Sequence, residues 1–184
     1  MAFNVPSFST SNISFGPAVM YMKTFTDPSS TNTPTADIGA ITEDGITIEM
    51  SAEKRYIAQG NPRLNTFGFT QVQNVSLSVT SIEWDFPNFR HALGAAVLTS
   101  TTTFGFGGDP ACVEVAIQVL HKMPNSTTIT INIWKAVSES GFSLPFGQDE
   151  HQFEFKFNAL YSAVDWGGSA ITGDQNLIQI LRTW

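Results

Sequence analysis

The sequence predicts a mainly β fold, a β-sandwich or barrel, with one short α-helix packed on it and one long protruding β-hairpin. Apolar and polar residues alternate in several separate runs, and only one segment has helical spacing of its apolar residues. Two of the alternating runs are separated by a long insertion, which predicts the hairpin. The 184 residues suit a single domain, since about 100–200 residues form a typical one.

The chain begins with a predicted extended segment and loop at residues 1–36. Residues 13–25 are strand-like around Pro17, and residues 24–35 are rich in Pro, Ser and Thr, which favour turns and extended backbone. The N-terminus has neither the basic nor the apolar region of a signal peptide, and no run approaches the ~20 apolar residues that span a bilayer. We therefore expect a surface loop or an arm here, and no membrane segment.

The β-hairpin is predicted at about residues 45–83. A turn signal at residues 43–45 leads into strict apolar and polar alternation at residues 46–50, which is typical of a half-buried strand. The alternation resumes at residues 75–79. The residues between these two runs contain no catalytic pattern, so we predict a protruding arm at about residues 50–75.

The one helix is predicted at about residues 85–94. Asp85 is a candidate N-cap, Pro87 fits the first turn, and Gly94 is the expected C-terminal stop. One face of this segment carries large apolar side chains, those of Phe86, Phe89 and Leu93. Because a helix of two to three turns is not stable alone, we expect this face to pack on the sheet.

Three clean strand patterns follow the helix. Apolar and polar residues alternate at residues 113–119, 129–133 and 153–157, and residues 177–181 predict a short final strand. Each pattern leaves one face for a core and one face for water.

Composition and charge limit the classes of function. Charged residues make up 14% of the chain, the formal net charge is −7 and the pI is about 4.7. Nucleic acid held by a basic face is therefore not expected. Much of the polar surface comes from Ser, Thr, Asn and Gln, which cost less to bury than charges and suit either a large protein–protein contact or an ordinary all-β domain. The single Cys112 excludes an intramolecular disulfide, and its place at a strand start predicts burial.

No constellation in the sequence predicts catalysis. His91, His121 and His151 are far apart, and none has a carboxylate or cysteine at metal-ligand spacing. The glycine-rich residues 105–108 lack the Lys-Ser/Thr and the helix of a phosphate loop. We therefore predict that the protein is not an enzyme and uses no cofactor or metal.

The predicted arm holds the candidate assembly residues. Aromatic anchors among neutral polar residues are typical of interface hot spots, although folding back on the parent domain is the alternative. The candidates are Glu53, Lys54, Arg55, Tyr56, Arg63, Phe67 and Phe69.

The order of these segments resembles that of the tail tube proteins (major tail proteins) of tailed bacteriophages. The resemblance runs through the opening strand at residues 13–18, the run 37–49 leading into the hairpin, residues 75–94 running into the helix, and the closing strands at residues 131–137 and 152–160. The resemblance rests on the order and co-occurrence of these segments and not on any single motif.

The resemblance implies a fold, an assembly and a set of partners. It implies a β-sandwich with one helix that forms hexameric rings, stacked into a hollow tube through the arm at residues 50–75. It also implies a tape measure protein in the lumen, a tail terminator and baseplate or tail-tip proteins as further partners. Double-stranded DNA would pass through the tube without specific binding. The implied location is the tail of the virion, assembled in the host bacterial cytoplasm.

A polar strand face would then line the lumen, and two sets of residues are open from the sequence. One set is Glu114 and Gln118, and the other is Thr128, Thr130 and Asn132.

Two alternatives remain at this point. One is the tube protein of a related contractile injection system, a tailocin or a type VI secretion system. The other, from a different class, is a carbohydrate-binding β-sandwich module that uses Trp84, Trp134 or Trp166 as a platform for sugar rings.

Overall fold

The computed structural model describes residues 18–26, 31–60, 63–94, 98–100, 102–107, 112–123, 126–141, 143–144, 146 and 151–183, with the backbone alone at residues 59, 63–66, 98–99 and 140. The elements in these ranges are β1 (Ala18–Thr24), β2 (Ala36–Asp37), β3 (Ile41–Gly60), β4 (Arg63–Ser81), α1 (Phe86–Leu93), β5 (Leu98–Thr99), β6 (Phe104–Gly105), β7 (Glu114–Lys122), β8 (Thr128–Ser140), β9 (Phe153–Ala159) and β10 (Gln179–Thr183). Most of the predicted N-terminal segment, including the part of its strand before Ala18, lies outside the described residues.

The described residues form mainly β-strands with one short helix and a long hairpin, which confirms the predicted fold class. Eight strands form one antiparallel sheet in the order β2-β1-β7-β8-β9-β4-β3, with β10 paired to β8, and β5 pairs with β6 separately. Strands β7, β8 and β9 contain the alternating runs predicted at residues 113–119, 129–133 and 153–157, apart from Val113.

The sheet divides along β8. The first part of β8 pairs with β7 on one edge and with β10 on the other, whereas its last part pairs with β7 and β9. A strand that changes partners in this way lets a sheet turn a corner. We call β2, β1, β7, β10 and the first part of β8 the first layer, and β9, β4, β3 and the last part of β8 the second layer.

A bulge in β8 lies at this change of partner. The register between β7 and β8 shifts at Ala116, which faces both Trp134 and Lys135. A bulge bends the strand and reverses which residues face the core. Ile133 and Ala136 therefore both belong to the core, although an uninterrupted strand would put them on opposite faces.

The main core lies between the two layers. Alternate residues of β1, β7, β4 and β9 point inward, and the helix adds Phe89. The largest of these fully buried side chains are Phe89, Phe153, Phe155, Phe157, Met20, Met22, Ile38, Leu77, Ile117 and Ile133. A smaller cluster lies on the outer face of the first layer, formed by Phe25, Ala116, Trp134 and Trp166.

Helix α1 packs against β1, β8 and β9. Phe89 is buried and its ring lies 4.9 Å from that of Phe153, centroid to centroid. Gly94 ends the helix with a left-handed backbone, φ 60°, as predicted. The predicted side-chain cap was wrong: Asp85 stands at the N-cap position, but its carboxylate caps no backbone amide of the described helix. Burial, and then the neighbouring charge of Glu83, raise the pKa of the Asp85 carboxyl.

The predicted turn at residues 43–45 is a bulge inside β3. Ile41 faces Ser81 and Ile46 faces Val79, so four residues of β3 stand opposite Thr80 alone. Gly45 takes φ 69°, a backbone conformation that costs glycine little. The chain therefore continues from this bulge as a single strand into the arm. No helix in the described part of the chain is long and apolar enough to span a membrane.

Candidate assembly surface

The arm is exposed along its whole described length. Its strands are the outer parts of β3 and β4, which have 20 and 19 residues in all. Residues 51–58 and 67–74 are all exposed, while Val75 is only 4% exposed at the point where β4 joins the core. Burial therefore ends where the predicted arm begins. A two-stranded ribbon is at best marginally stable in water without a surface to pack on.

One face of the arm carries an apolar stripe. The register pairs Ile57 with Phe67, and the same face includes Phe69 and Val72. These side chains are 55%, 61%, 39% and 47% exposed, in that order. The rings of Phe67 and Phe69 lie 6.2 Å apart and tilted, so they form one continuous patch. We call Ile57, Phe67, Phe69 and Val72 the apolar stripe.

On the opposite face of the arm, a tyrosine ring packs over a glycine of the other strand. Tyr56 faces Gly68 across the ribbon, and a Cβ on Gly68 would lie 2.9 Å from the Tyr56 ring. The missing side chain therefore lets the ring cover the backbone of β4, a device that pins the strand register. The tyrosine is 56% exposed, so its outer ring face is available for contact.

The arm is cationic on an acidic protein. The arm contains one acidic residue, Glu53, and three basic residues, Lys54, Arg55 and Arg63, so its formal charge is +2. Because the whole chain has a formal charge of −7, the rest of the chain carries −9. Lys54 and Arg55 are exposed on opposite faces of the ribbon. The side chain of Arg63 lies outside the described residues. The other predicted interface residues, Glu53, Lys54, Arg55, Tyr56, Phe67 and Phe69, all lie on this exposed ribbon.

Both long edges of the arm are open to pairing. In the described residues β3 pairs with β4 alone, and the pairing of β4 with β9 stops at Ser76. An open edge presents amide and carbonyl groups to which another chain can add a strand.

Two of the predicted lumen residues, Gln118 and Asn132, form a hydrogen-bonded row with Gln179 on the outer face of the first layer. The Gln118 amide donates to Asn132 Oδ1 at 3.1 Å, and Asn132 Nδ2 donates to Gln179 Oε1 at 3.1 Å. Asn132 is only 6% exposed because its neighbours cover it. Thr128 and Thr130 are half-buried beside the row. Glu114 makes a salt bridge to Lys135 at 3.2 Å. That these residues line a lumen stays a prediction.

The second layer offers another polar face, which the sequence reasoning missed. The outward side chains of β3, β4 and β9 are mostly hydroxyls and carboxylates: Thr47, Glu49, Ser76, Ser78, Glu154 and Lys156, with Glu139 of β8 beside them. The polar residues of each alternating run could be read from the sequence, but only the order of the strands in the sheet shows that they form one surface.

Two grooves lie along the part of the hairpin that belongs to the body, one beside residues 41–48 and one beside residues 50–52 and 73–75. The near groove, about 550 Å³, lies at the base of the arm between Met50, Gln73 and the chain segment that includes Tyr161 and Asp174. The far groove, about 800 Å³, opens between the two layers beside the bulge of β3. Its apolar walls come from Ile41, Ile46 and Ile48 on one side and from Val119, Ile129 and Ile131 on the other.

The histidines lie apart from one another. His91 is 7% exposed, and its Nε2 lies 3.0 Å from Thr24 Oγ1. Burial, and then the charge of Arg90, lower the pKa of His91 to about 4. His121 lines the far groove, and His151 packs against Trp84. Among the described residues, no three His, Cys, Asp or Glu side chains lie close enough to hold a metal ion. Cys112 is exposed, so the expectation of its burial was wrong.

The tryptophans leave little for a sugar platform. Trp134 and Trp166 are each 6% exposed and pack edge to face, 5.1 Å between centroids. Their indole N–H groups donate to the carbonyl oxygens of Gln175 and Trp134. Trp134 is in phase with Thr130 and Asn132 on the polar face of its strand, but the covering segment around Trp166 buries it. Of the three candidates only Trp84, 43% exposed, reaches the surface.

No protein-family model matches the chain, and no curated protein matches it either.

Proposed function

We propose that the protein is a structural subunit that assembles into stacked, hexameric rings and forms the hollow tail tube of a bacteriophage, the conduit for its DNA. The resemblance in segment order supplies the kind of assembly. The geometry of the arm supports the way in which copies join.

The exposed arm carries this proposal. Phe67, Phe69 and Tyr56 are exposed to water on the arm. Because burial of apolar area contributes about 25 cal/mol per Å², covering these side chains with a partner would stabilise the ribbon. An apolar patch on an open-edged ribbon is also an aggregation hazard unless a defined partner covers it. Another copy of the same chain satisfies both requirements.

The charge distribution supports contact between copies. A cationic arm on an acidic body attracts the body of a neighbour and not its arm. Such a contact joins two different surfaces, so it repeats as a ring or an open stack and does not end at a dimer. A stacked tube needs this kind of contact.

The polar layer faces suit a channel for DNA. The row through Gln118, Asn132 and Gln179 carries no formal charge. The outer face of the second layer carries Glu49, Glu139 and Glu154 against Lys156. Either face would give a neutral-to-acidic bore, to which phosphates do not bind by counterion release. The tape measure, terminator and baseplate or tail-tip proteins are the further partners of this proposal, and the virion tail is its location.

Electron microscopy of the purified full-length protein tests the proposal. In negative stain over a series of rising concentrations, we expect rings with a central hole and then tubes of constant diameter. A protein that remains monomeric at every concentration would refute the proposal. A monomer that binds immobilised glycans through Trp84 would instead support the carbohydrate-binding alternative.

A further inference from the structure

The arm cannot reach the far groove of its own subunit. The groove borders Ile41, Ile46 and Ile48, whereas the apolar stripe lies near the other end of the same hairpin. The groove wall ends at Ile48, and the stripe spans the arm from the pair of Glu53 and Val72 to the pair of Ile57 and Phe67. At about 3.3 Å per residue, the stripe therefore lies roughly 16–30 Å from Ile48 along one extended strand that leads away from the groove. Any contact between stripe and groove therefore joins two copies.

The far groove matches the stripe in chemistry. Its walls are aliphatic, from Ile41, Ile46 and Ile48 on one layer and Val119, Ile129 and Ile131 on the other. The stripe offers two phenylalanines and two aliphatic side chains on one face of the ribbon. The cavity of about 800 Å³ has room for several such side chains, which would lose water on both sides.

The charges at the two surfaces are opposite. Glu43 and Asp44 stand exposed on the rim of the far groove, in the bulge of β3. Arg55 lies on the face of the stripe, opposite Phe69, and Lys54 lies next to it on the other face. With Glu53, which faces Val72, this part of the arm carries two cations and one carboxylate. The bulge around Gly45 explains why two adjacent carboxylates are carried out of the strand at this point. The near groove has Asp174 on its wall but stands at the base of the arm, next to its own β3 and β4.

We propose that the far groove is the receptor for the arm of a second copy: the apolar stripe packs between the isoleucine walls, and Lys54 and Arg55 pair with Glu43 and Asp44. This inference rests on the proposed self-assembly and assigns both surfaces of the inter-subunit contact. Each copy has one arm and one far groove, which are two different surfaces, so the contact is heterologous and repeats from copy to copy.

Chemical cross-linking of assembled protein tests the assignment. In a Cys112→Ser background, Ile57→Cys on the arm is combined with Ile129→Cys in the far groove and treated with a short bismaleimide. The matched control combines Ile57→Cys with Tyr161→Cys in the near groove. Each single-cysteine variant is run beside them, because an arm-to-arm contact yields dimers only.

The expected result is a ladder of covalent multimers from the Ile57→Cys and Ile129→Cys pair, and no ladder from the control pair. If the variants form rings or tubes but the ladder comes from the control pair, or from neither pair, the assignment of the far groove is overturned while the proposed function stands. If wild-type protein forms no assembly at all, the proposed function fails and this inference fails with it.

Discussion

Two phenylalanines show how position decides the role of one side chain. Phe89 is 1% exposed in the core and Phe67 is 61% exposed on the arm. Truncating a buried phenylalanine removes apolar burial and leaves a cavity, at a cost of about 3–5 kcal/mol. Truncating an exposed one changes subunit stability by about 0.5 kcal/mol or less.

We therefore expect Phe89→Ala to lower the free energy of unfolding by about 3–5 kcal/mol, as measured by urea titration of dilute protein. Phe67→Ala is the matched control, with an unchanged unfolding midpoint in dilute solution but fewer or no tubes at high concentration. An equal loss of stability in both variants would mean that Phe67 packs on its own subunit, which was the alternative left open from the sequence.

His91 makes stability depend on pH. Its pKa is lowered from 6.5 to about 4 in the folded protein, so between these values the unfolded chain binds the proton and the folded chain does not. Stability is thus complete above pH 6.5 and is lost as the pH falls toward 4, by roughly 3 kcal/mol in total. We expect the urea midpoint of wild-type protein to fall between pH 7 and pH 4.5.

The variant His91→Gln separates this effect from that of other titrating groups. Its midpoint is expected to fall less over the same pH range, because glutamine does not titrate. Identical pH profiles for variant and wild type would contradict the assignment to His91.

For single residues, the sequence predicts the environment correctly where that environment depends only on neighbours along the chain. Gly94 ends the helix as predicted, because the left-handed end of a helix is a local requirement. Trp134 lies on the outer face of its strand, and its burial was missed because it depends on a covering segment more than 30 residues later. Asp85 occupies the cap position, but local propensity did not produce the hydrogen bond.

Among the elements, the hairpin shows what alternation can and cannot predict. Period-two patterning located both strands and the limits of the arm, because burial changes at Met50 and Val75. The bulge at residues 42–45 was taken for a turn, since Glu, Asp and Gly serve both structures. The far groove was not predictable, because its walls join residues of β3 to residues of β7 and β8 that only the fold brings together.

Reversing the charges on the arm tests the contact between elements. The variant Lys54→Glu with Arg55→Glu places four carboxylates in one contact with Glu43 and Asp44, so we expect it to form no tubes in microscopy at physiological salt. The matched control, Lys23→Glu with Lys156→Glu, makes the same change in net charge on other strands and is expected to assemble.

Combining the arm reversal with Glu43→Lys and Asp44→Lys restores the opposite charges in exchanged positions. Tube formation is expected to return in this fourfold variant. Assembly that stays lost in the fourfold variant, or that the arm reversal alone does not impair, would contradict pairing between these surfaces.

At the scale of the whole molecule, the protein has two different surfaces. The cationic, aromatic arm extends from the body, and the acid-rimmed apolar groove opens beside the first part of the strand that continues into the arm. Nothing in the composition alone predicts this polarity, since a formal charge of −7 describes only the sum. The arrangement arises because one continuous strand of 20 residues carries the groove wall at its start and the stripe near its end.

The central claim is that the arm joins copies, and sedimentation velocity of an arm-shortened variant tests it most directly. Residues 54–71 are replaced by Asn-Gly, which joins Glu53 to Val72, two residues that already face each other across the ribbon. We predict that wild-type protein sediments as long polymers, whereas the variant sediments as a species no larger than one ring, with the same thermal unfolding midpoint when both are dilute. Polymers of the same length from the variant and the wild type would contradict the claim.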